Sequence, residues 1–238
     1  MTDSIPGGRP GLISTAINVL VSPSEAFSEL KQRPSKLFPL ALILLSTMSV
    51  MFWYFTIVDF AWYIDDTLAG ANLDADELEV AREQMSSMSQ TTFKVIGTLG
   101  AAFGILFIYV LQAGYLSLTA ALSGSDQKFW SWFSLVLWTG LPYMLSIFGM
   151  IATILLSPNG QLSAYDLDPL TFANLGLQSS NPSLTTVFNS LSLPMIWGIV
   201  LTVLGYRHWM DCSLLKAMSV VLAPYLVILG VWAYFLLT

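Results

Sequence analysis

Few side chains in this chain can do chemistry. His208 is its one histidine and Cys212 its one cysteine. They stand one helical turn apart with Asp211 beside them. One imidazole and one thiol fall short of the three or four protein ligands that a zinc site takes. The cluster therefore reads as a polar turn, and no metal is expected. A single cysteine also excludes an internal disulfide. No histidine accompanies a G-x-S-x-G nucleophile pattern, and no G-x-x-x-x-G-K phosphate loop occurs. Nothing pairs a nucleophile with a base, so neither an enzymatic activity nor a cofactor is expected.

The apolar stretches are equally sparing with charge. From Phe129 to Ser157 there is no ionisable acid or base, enough to cross the ~30 Å hydrocarbon layer as one helix. Pro142 lies near its middle, a position tolerated in lipid where neighbouring helices can satisfy the freed carbonyls. Asp59, Lys94 and Lys216 fall near the ends of apolar runs, where long side chains reach the interface. No proton relay, voltage sensor or buried counter-ion is expected. Gln112 and Asn189 are polar groups in or beside spans, and hydrogen bonds between helices account for them.

These residues must be positioned by helices in a membrane. Hydrophobic residues make up 55% of the 238 residues and charged ones 10%, with a mean hydropathy of +0.69, far from the ~25% charge of soluble domains. The net charge of −6 argues against nucleic acid as a partner. Spans are expected at about 37–60, 93–122, 129–157, 187–206 and 213–237. The fold class is an all-α integral membrane protein of five transmembrane helices, forming one bundle over 37–238. Residues 1–36 form a separate cytosolic part. It begins as a flexible tail through Pro10, followed by two short helices. In the first, Leu12, Ile13, Ala16, Ile17 and Leu20 recur at helical spacing. It lies in the membrane interface or packs on the bundle's own cytosolic face. Ser22-Pro23-Ser24-Glu25 starts the second, with Ser22 as cap and Pro23 in the first turn. Ala26, Phe27 and Leu30 form its apolar stripe and Pro34 ends it.

Asp74 and Glu77 have capping-box spacing, so a short extramembrane helix is expected toward Met88. Gly100 and Gly104 form a GxxxG pattern, read as internal close packing. Pro142, Pro194 and Pro224 are expected kinks. Ser131 precedes Pro142-Tyr143 by eleven residues, and Ser213 precedes Pro224-Tyr225 by the same eleven. Spans two–three and four–five thus read as a parallel repeat.

Orientation follows from the basic residues, which concentrate on the cytoplasmic side. With five spans, Arg9, Lys31, Arg33, Lys36, Lys128, Arg207 and Lys216 share one side, against Arg82 and Lys94 on the other. The N-terminus is expected in the cytoplasm and the C-terminus outside.

The run Val19-Leu20-Val21-Ser22-Pro23-Ser24-Glu25-Ala26-Phe27, followed by Leu30, Pro34 and an apolar span, resembles the opening of bacterial members of the Yip-one (Ypt/Rab-interacting protein) membrane family. Ser123-Gly124-Ser125, then Phe129, Trp132 and Pro142-Tyr143, resembles that family's central hairpin. The resemblance extends from about Gly11 to Leu237. It implies a five-span fold with a cytosolic N-terminus and, for a bacterial-type member, residence in the inner membrane. The family's trafficking role with Rab GTPases is not carried over. The long N-terminal region and the Asp-Leu-Tyr-Gly-Pro motif of the eukaryotic members are absent, and Asp166-Leu-Asp-Pro169 falls on the opposite side.

The functional expectation is a non-enzymatic scaffold or bilayer-organising protein that meets membrane lipid and membrane or cytosolic proteins at its inner face. The surface expected to do so comprises Leu12, Ile13, Ile17, Phe27, Lys31, Arg33, Lys36, Lys128 and Arg207. The alternative is a small-solute or ion transporter or channel. A cavity among spans two to five lined by Gln112 or Asn189 supports that alternative; a bundle centre filled by Leu, Phe and Trp opposes it.

Overall fold

A computed structural model describes residues 11–71, 73–157, 159–177 and 179–237. The tail expected before Gly11 lies outside them. The described residues form helices joined by turns, with one isolated β-bridge between Thr171 and Ser192.

Two short helices come first, α1 (Leu12–Val21) and α2 (Pro23–Gln32). Pro23 takes the first turn of α2 as expected, but the Ser22 side chain makes no capping bond; its backbone N–H instead closes α1 onto the Asn18 carbonyl at 2.7 Å. Helix α3 (Leu37–Ile57) follows, then α4 (Phe60–Ala69), which Asp59 caps through the Trp62 N–H at 3.1 Å. Helix α5 (Ala75–Ser87) opens with the full Asp74–Glu77 capping box. It stops at Met88 and does not run on, because Ser89 starts a fresh helix by accepting from the Thr92 N–H. That helix, α6 (Gln90–Leu122), is the longest in the structure.

The next apolar stretch is broken. Helices α7 (Phe129–Thr139) and α8 (Tyr143–Leu156) meet at 42°. Pro142 lacks the N–H that a continuous helix needs there. Three short-range bonds bridge the break, from the N–H groups of Tyr143, Met144 and Leu145 to the carbonyls of Gly140, Leu141 and Pro142. The kink expected at Pro142 is present, and the single helix expected through 129–157 is corrected to two.

Helix α9 (Pro182–Ser190) precedes α10 (Leu193–Met210). Ser192 accepts from the Met195 N–H, so α10 starts there, later than expected. Pro194 sits in this first turn and starts the helix, with no kink. At the other end, Arg207 to Met210 form the last helical turn, not a link, and Asp211 ends it at φ +45°. Helix α11 (Leu214–Leu237) carries Pro224 within one continuous helix, so Pro224 and Pro142 sit in different geometries.

Three helices, α3, α6 and α11, are long and apolar enough to cross a membrane, and the bent pair α7–α8 makes a fourth candidate. Helix α10 is shorter and ends in Arg207 and His208. The contacts fix the directions. Phe55 near the end of α3 packs on Gly97 near the start of α6, where an added Cβ would meet the ring at 2.5 Å. Gln112 and Tyr115 of α6 bond to Tyr225 and the Val220 carbonyl of α11, an antiparallel pairing. Leu135 lies against Gly205, and Thr139 against Thr202, so α7 and α10 are antiparallel too. All of these helices therefore have one end at α1 and α2, the cap end. The other is the loop end, with α4, α5, α9 and the described residues between α8 and α9.

The GxxxG expectation fails as internal packing. A Cβ added at Gly100 or Gly104 would meet nothing within 4 Å. Gly97, outside the motif, is the glycine of α6 that a neighbour presses against.

Candidate functional site

At the cap end, α2 is seated on the last turn of α10 by three contacts. The Trp209 Nε1–H donates to the Phe27 carbonyl at 2.9 Å, and the Lys31 ammonium donates to the Trp209 carbonyl at 2.7 Å. Ser28 Oγ lies 2.9 Å from His208 Nε2. That pair juxtaposes a hydroxyl with a base, which sequence reasoning missed because 180 residues separate them. No hydrogen bond orients the other His208 nitrogen among the described residues, and the Ser28 hydroxyl also reaches the Ser24 carbonyl at 2.9 Å. The geometry is a tether, without the third group of a catalytic triad.

Below this seat the bundle is solid. Trp132, Trp138, Leu135 and Tyr206 are each 0% exposed, with Trp132 centred 5.2 Å from Trp209 and 5.4 Å from Tyr206. The Ser35 carbonyl accepts both the Ser134 hydroxyl and the Trp138 indole N–H, each at 2.7 Å. These bonds hold the entry to α3 against α7.

The surface residues expected from sequence divide sharply. Leu12, Ile13 and Ile17 are exposed, as is Val21, with Ile13 69% and Val21 70% open. Arg33, Lys128 and Arg207 are exposed, and Lys36 holds its ammonium 3.9 Å above the exposed Trp130 ring. Phe27 must be withdrawn from the surface. It is 1% exposed, in the core with Leu30 and Trp132. The apolar stripe of α2 faces the bundle, while the apolar face of α1 that carries Ile13 faces out. Lys31 is half-buried and engaged with α10.

Toward the loop end the packing opens into a cavity of about 330 Å³ among α6, the α7–α8 break, α10 and α11. At the break, the Tyr143 N–H turns to the Gly140 carbonyl, so the Thr139 carbonyl loses its i+4 partner. Gly198 makes room for that carbonyl: a Cβ there would stand 3.0 Å from it. The Thr139 hydroxyl lies 2.9 Å from that of Thr202. Gln112 Nε2 donates to the Tyr225 hydroxyl at 3.3 Å, so the expected interhelical bond is present. Asn189 lines a second hollow of about 250 Å³ with Asp168, and Ser190 and Ser192 border both spaces.

The loop end itself is tied by polar contacts. The Tyr54 hydroxyl donates to the Leu162 carbonyl at 2.9 Å, and Asp59 N–H to the Gly160 carbonyl at 3.0 Å. Gly160 has φ +70° and lies so close to the Ile57 carbonyl that a Cβ would stand 2.6 Å from it. Ser163 donates to Asp66 at 2.7 Å, and Arg82 pairs with Asp65. Burial lifts the nearby Tyr63 hydroxyl above its ordinary titration range. Among the described residues no group of three or more His, Cys, Asp or Glu is placed to hold a metal ion.

Long apolar helices joined by polar turns define an integral membrane protein. Residues 17–235 match the model of the Yip1 domain, and the chain belongs to that family. No curated protein and no solved structure matches it.

Proposed function

We propose that this Yip1-family protein is a non-enzymatic, bilayer-organising scaffold with five spans, α10 being the fourth. The outward apolar face of α1 carries the proposal. Ile13, Ile17 and Val21 stand open on a helix whose opposite face, at Thr15 and Val19, is buried. Immersing such side chains in lipid gains up to ~1.5–3 kcal/mol for each one fully covered. Arg33, Lys36, Lys128 and Arg207 add roughly 1 kcal/mol each near anionic headgroups. The same basic residues support a cytoplasmic cap end and a loop end outside. For a bacterial-type member the membrane is the inner one. Partner proteins then dock beside α1 on the basic surface.

A photoreactive side chain at Ile17 in native membranes tests this reading. Lipid adducts, together with a discrete protein adduct that vanishes when Arg33, Lys128 and Arg207 are reversed to glutamate, are expected. Labelling of neither lipid nor protein would remove the cap surface from consideration. Lys31 is excluded from the reversal set because its bond to Trp209 makes it part of the seat.

A further inference from the structure

We infer that the cavity at the α7–α8 break is a binding site for a small uncharged solute carrying several hydroxyl or amide groups, admitted from the loop end. The inference does not depend on the cap surface. It begins with the chemistry of the walls. Side chains of α6, α10 and α11 bring an amide and several hydroxyls to a space otherwise walled by apolar groups, the usual make-up of a small-molecule pocket. No acidic or basic residue lines it.

The polar groups are only partly used. Gln112 gives Nε2 to Tyr225, while its Oε1 and the Tyr109 hydroxyl have no partner among the described residues. The Thr139 carbonyl, released by the break, adds an acceptor. Donors and acceptors are thus both on offer, at a depth where an ion would go uncompensated and a neutral polyol would find partners. About 330 Å³ has room for roughly ten waters at ~30 Å³ each, or for one polyol of inositol size.

The cap side of the cavity is closed. Ser190 and Ser192 line both the cavity and the hollow beside Asp168, which places the route of entry there. That carboxylate disfavours anions at the entrance. Toward the cap end the floor is Val136, backed by Leu135, Trp132 and Tyr206. The site is therefore a dead-end pocket and not a pore.

Thiol-modification rates test it, using the full chain in nanodiscs with Cys212→Ser as background. Thr139→Cys reports on the cavity and Ser190→Cys on its mouth. Hydroxyethyl methanethiosulfonate, which is neutral, should modify Thr139→Cys at least about tenfold faster than its sulfonatoethyl or trimethylammonioethyl analogues, because charge is penalised at that depth. Myo-inositol should slow the reaction saturably. Gln112→Leu should abolish that protection and leave the Ser190→Cys rate unchanged. Ile199→Cys, on another wall of the cavity, serves if Thr139→Cys does not fold. Four outcomes would overturn the inference: equal rates for neutral and charged reagents, a deep thiol that never reacts, protection by neither myo-inositol nor glycerol, or protection that survives Gln112→Leu. Relief of protection on removing bound lipid would assign the cavity to an acyl chain and overturn it too.

Discussion

The two halves of the bundle solve the same packing problem in opposite ways. The cap half is filled by indole and phenol rings with no exposed surface, and its buried carbonyls at Phe27 and Ser35 take bonds from tryptophans. The loop half has a helix break, small residues and a cavity; buried polar atoms without a partner are not confined to it, since the Trp132 indole N–H and the Tyr206 hydroxyl lack one in the cap half. A membrane bundle gains nothing from hydrophobic exclusion between helices and relies on close packing and hydrogen bonds. Stability should therefore be concentrated in the cap half, leaving the loop half free to accommodate something else.

The strongest way to break this contrast is to hollow the cap half. Trp132→Ala removes a fully buried ring and should cost about 3–5 kcal/mol. Thermal unfolding in detergent should show a collapsed transition; a near-native midpoint would mean that the cap half is not the stabilising one. Next comes the seat of α2. Trp209→Phe keeps most of the ring but removes the indole bond to the Phe27 carbonyl, which keeps its partner within α2, a loss of about 0.5–1.5 kcal/mol. Limited proteolysis should then cut near Gln32 and Arg33 faster, with α3 and α6 still protected.

A matched pair of glycines on α10 sharpens the comparison. At Gly205 an added methyl meets Leu135 at 2.6 Å, within the filled half; at Gly198 it meets the Thr139 carbonyl at 3.0 Å, beside the cavity. Overpacking typically costs ~1–3 kcal/mol where neighbours cannot move. Gly205→Ala should lie at the upper end and Gly198→Ala near the lower, read from paired denaturation midpoints. The reverse order would overturn the view that the loop half can yield. The smallest effect belongs to Gln112→Leu. It loses one long bond to Tyr225 and covers a partly wet wall, so its midpoint should move by less than ~1 kcal/mol.

The helices of the bundle were legible because their signals are local. Apolar length marks α3, α6 and α11, and the Asp74–Glu77 spacing marks α5. Basic residues at the cap end could be gathered from sequence because short links bring them there. What escaped depends on which surface a helix meets. Phe27 and Ile17 look alike as apolar residues on short amphipathic helices, yet one is core and the other open. Gly100 and Gly104 match a packing motif, but the neighbour that presses on α6 does so at Gly97. Pro142 and Pro224 each follow a serine by eleven residues, but only Pro142 comes after a glycine, Gly140, whose Cβ position the Tyr109 hydroxyl already crowds. Gln112 could be named as a cavity wall in advance. Its companions Thr139 and Thr202 could not, since each reads as an ordinary polar residue until α7 and α10 are paired.

The seat of α2 has a consequence for the order in which the protein can be completed. The indole that holds the Phe27 carbonyl lies 182 residues further along the chain. At translation rates of ~5–20 residues per second, about 10–40 s pass between synthesis of Phe27 and arrival of Trp209. Through that interval Ala26, Phe27 and Leu30 have no partner on α10. A nascent chain stalled before α10 should present an undocked α2 to proteases and chaperones, whereas one stalled after Met210 should not. Helices α1 and α2, made before the bundle, are thus among the last to be locked, and the cap becomes a checkpoint on whether the rest of the protein has been inserted.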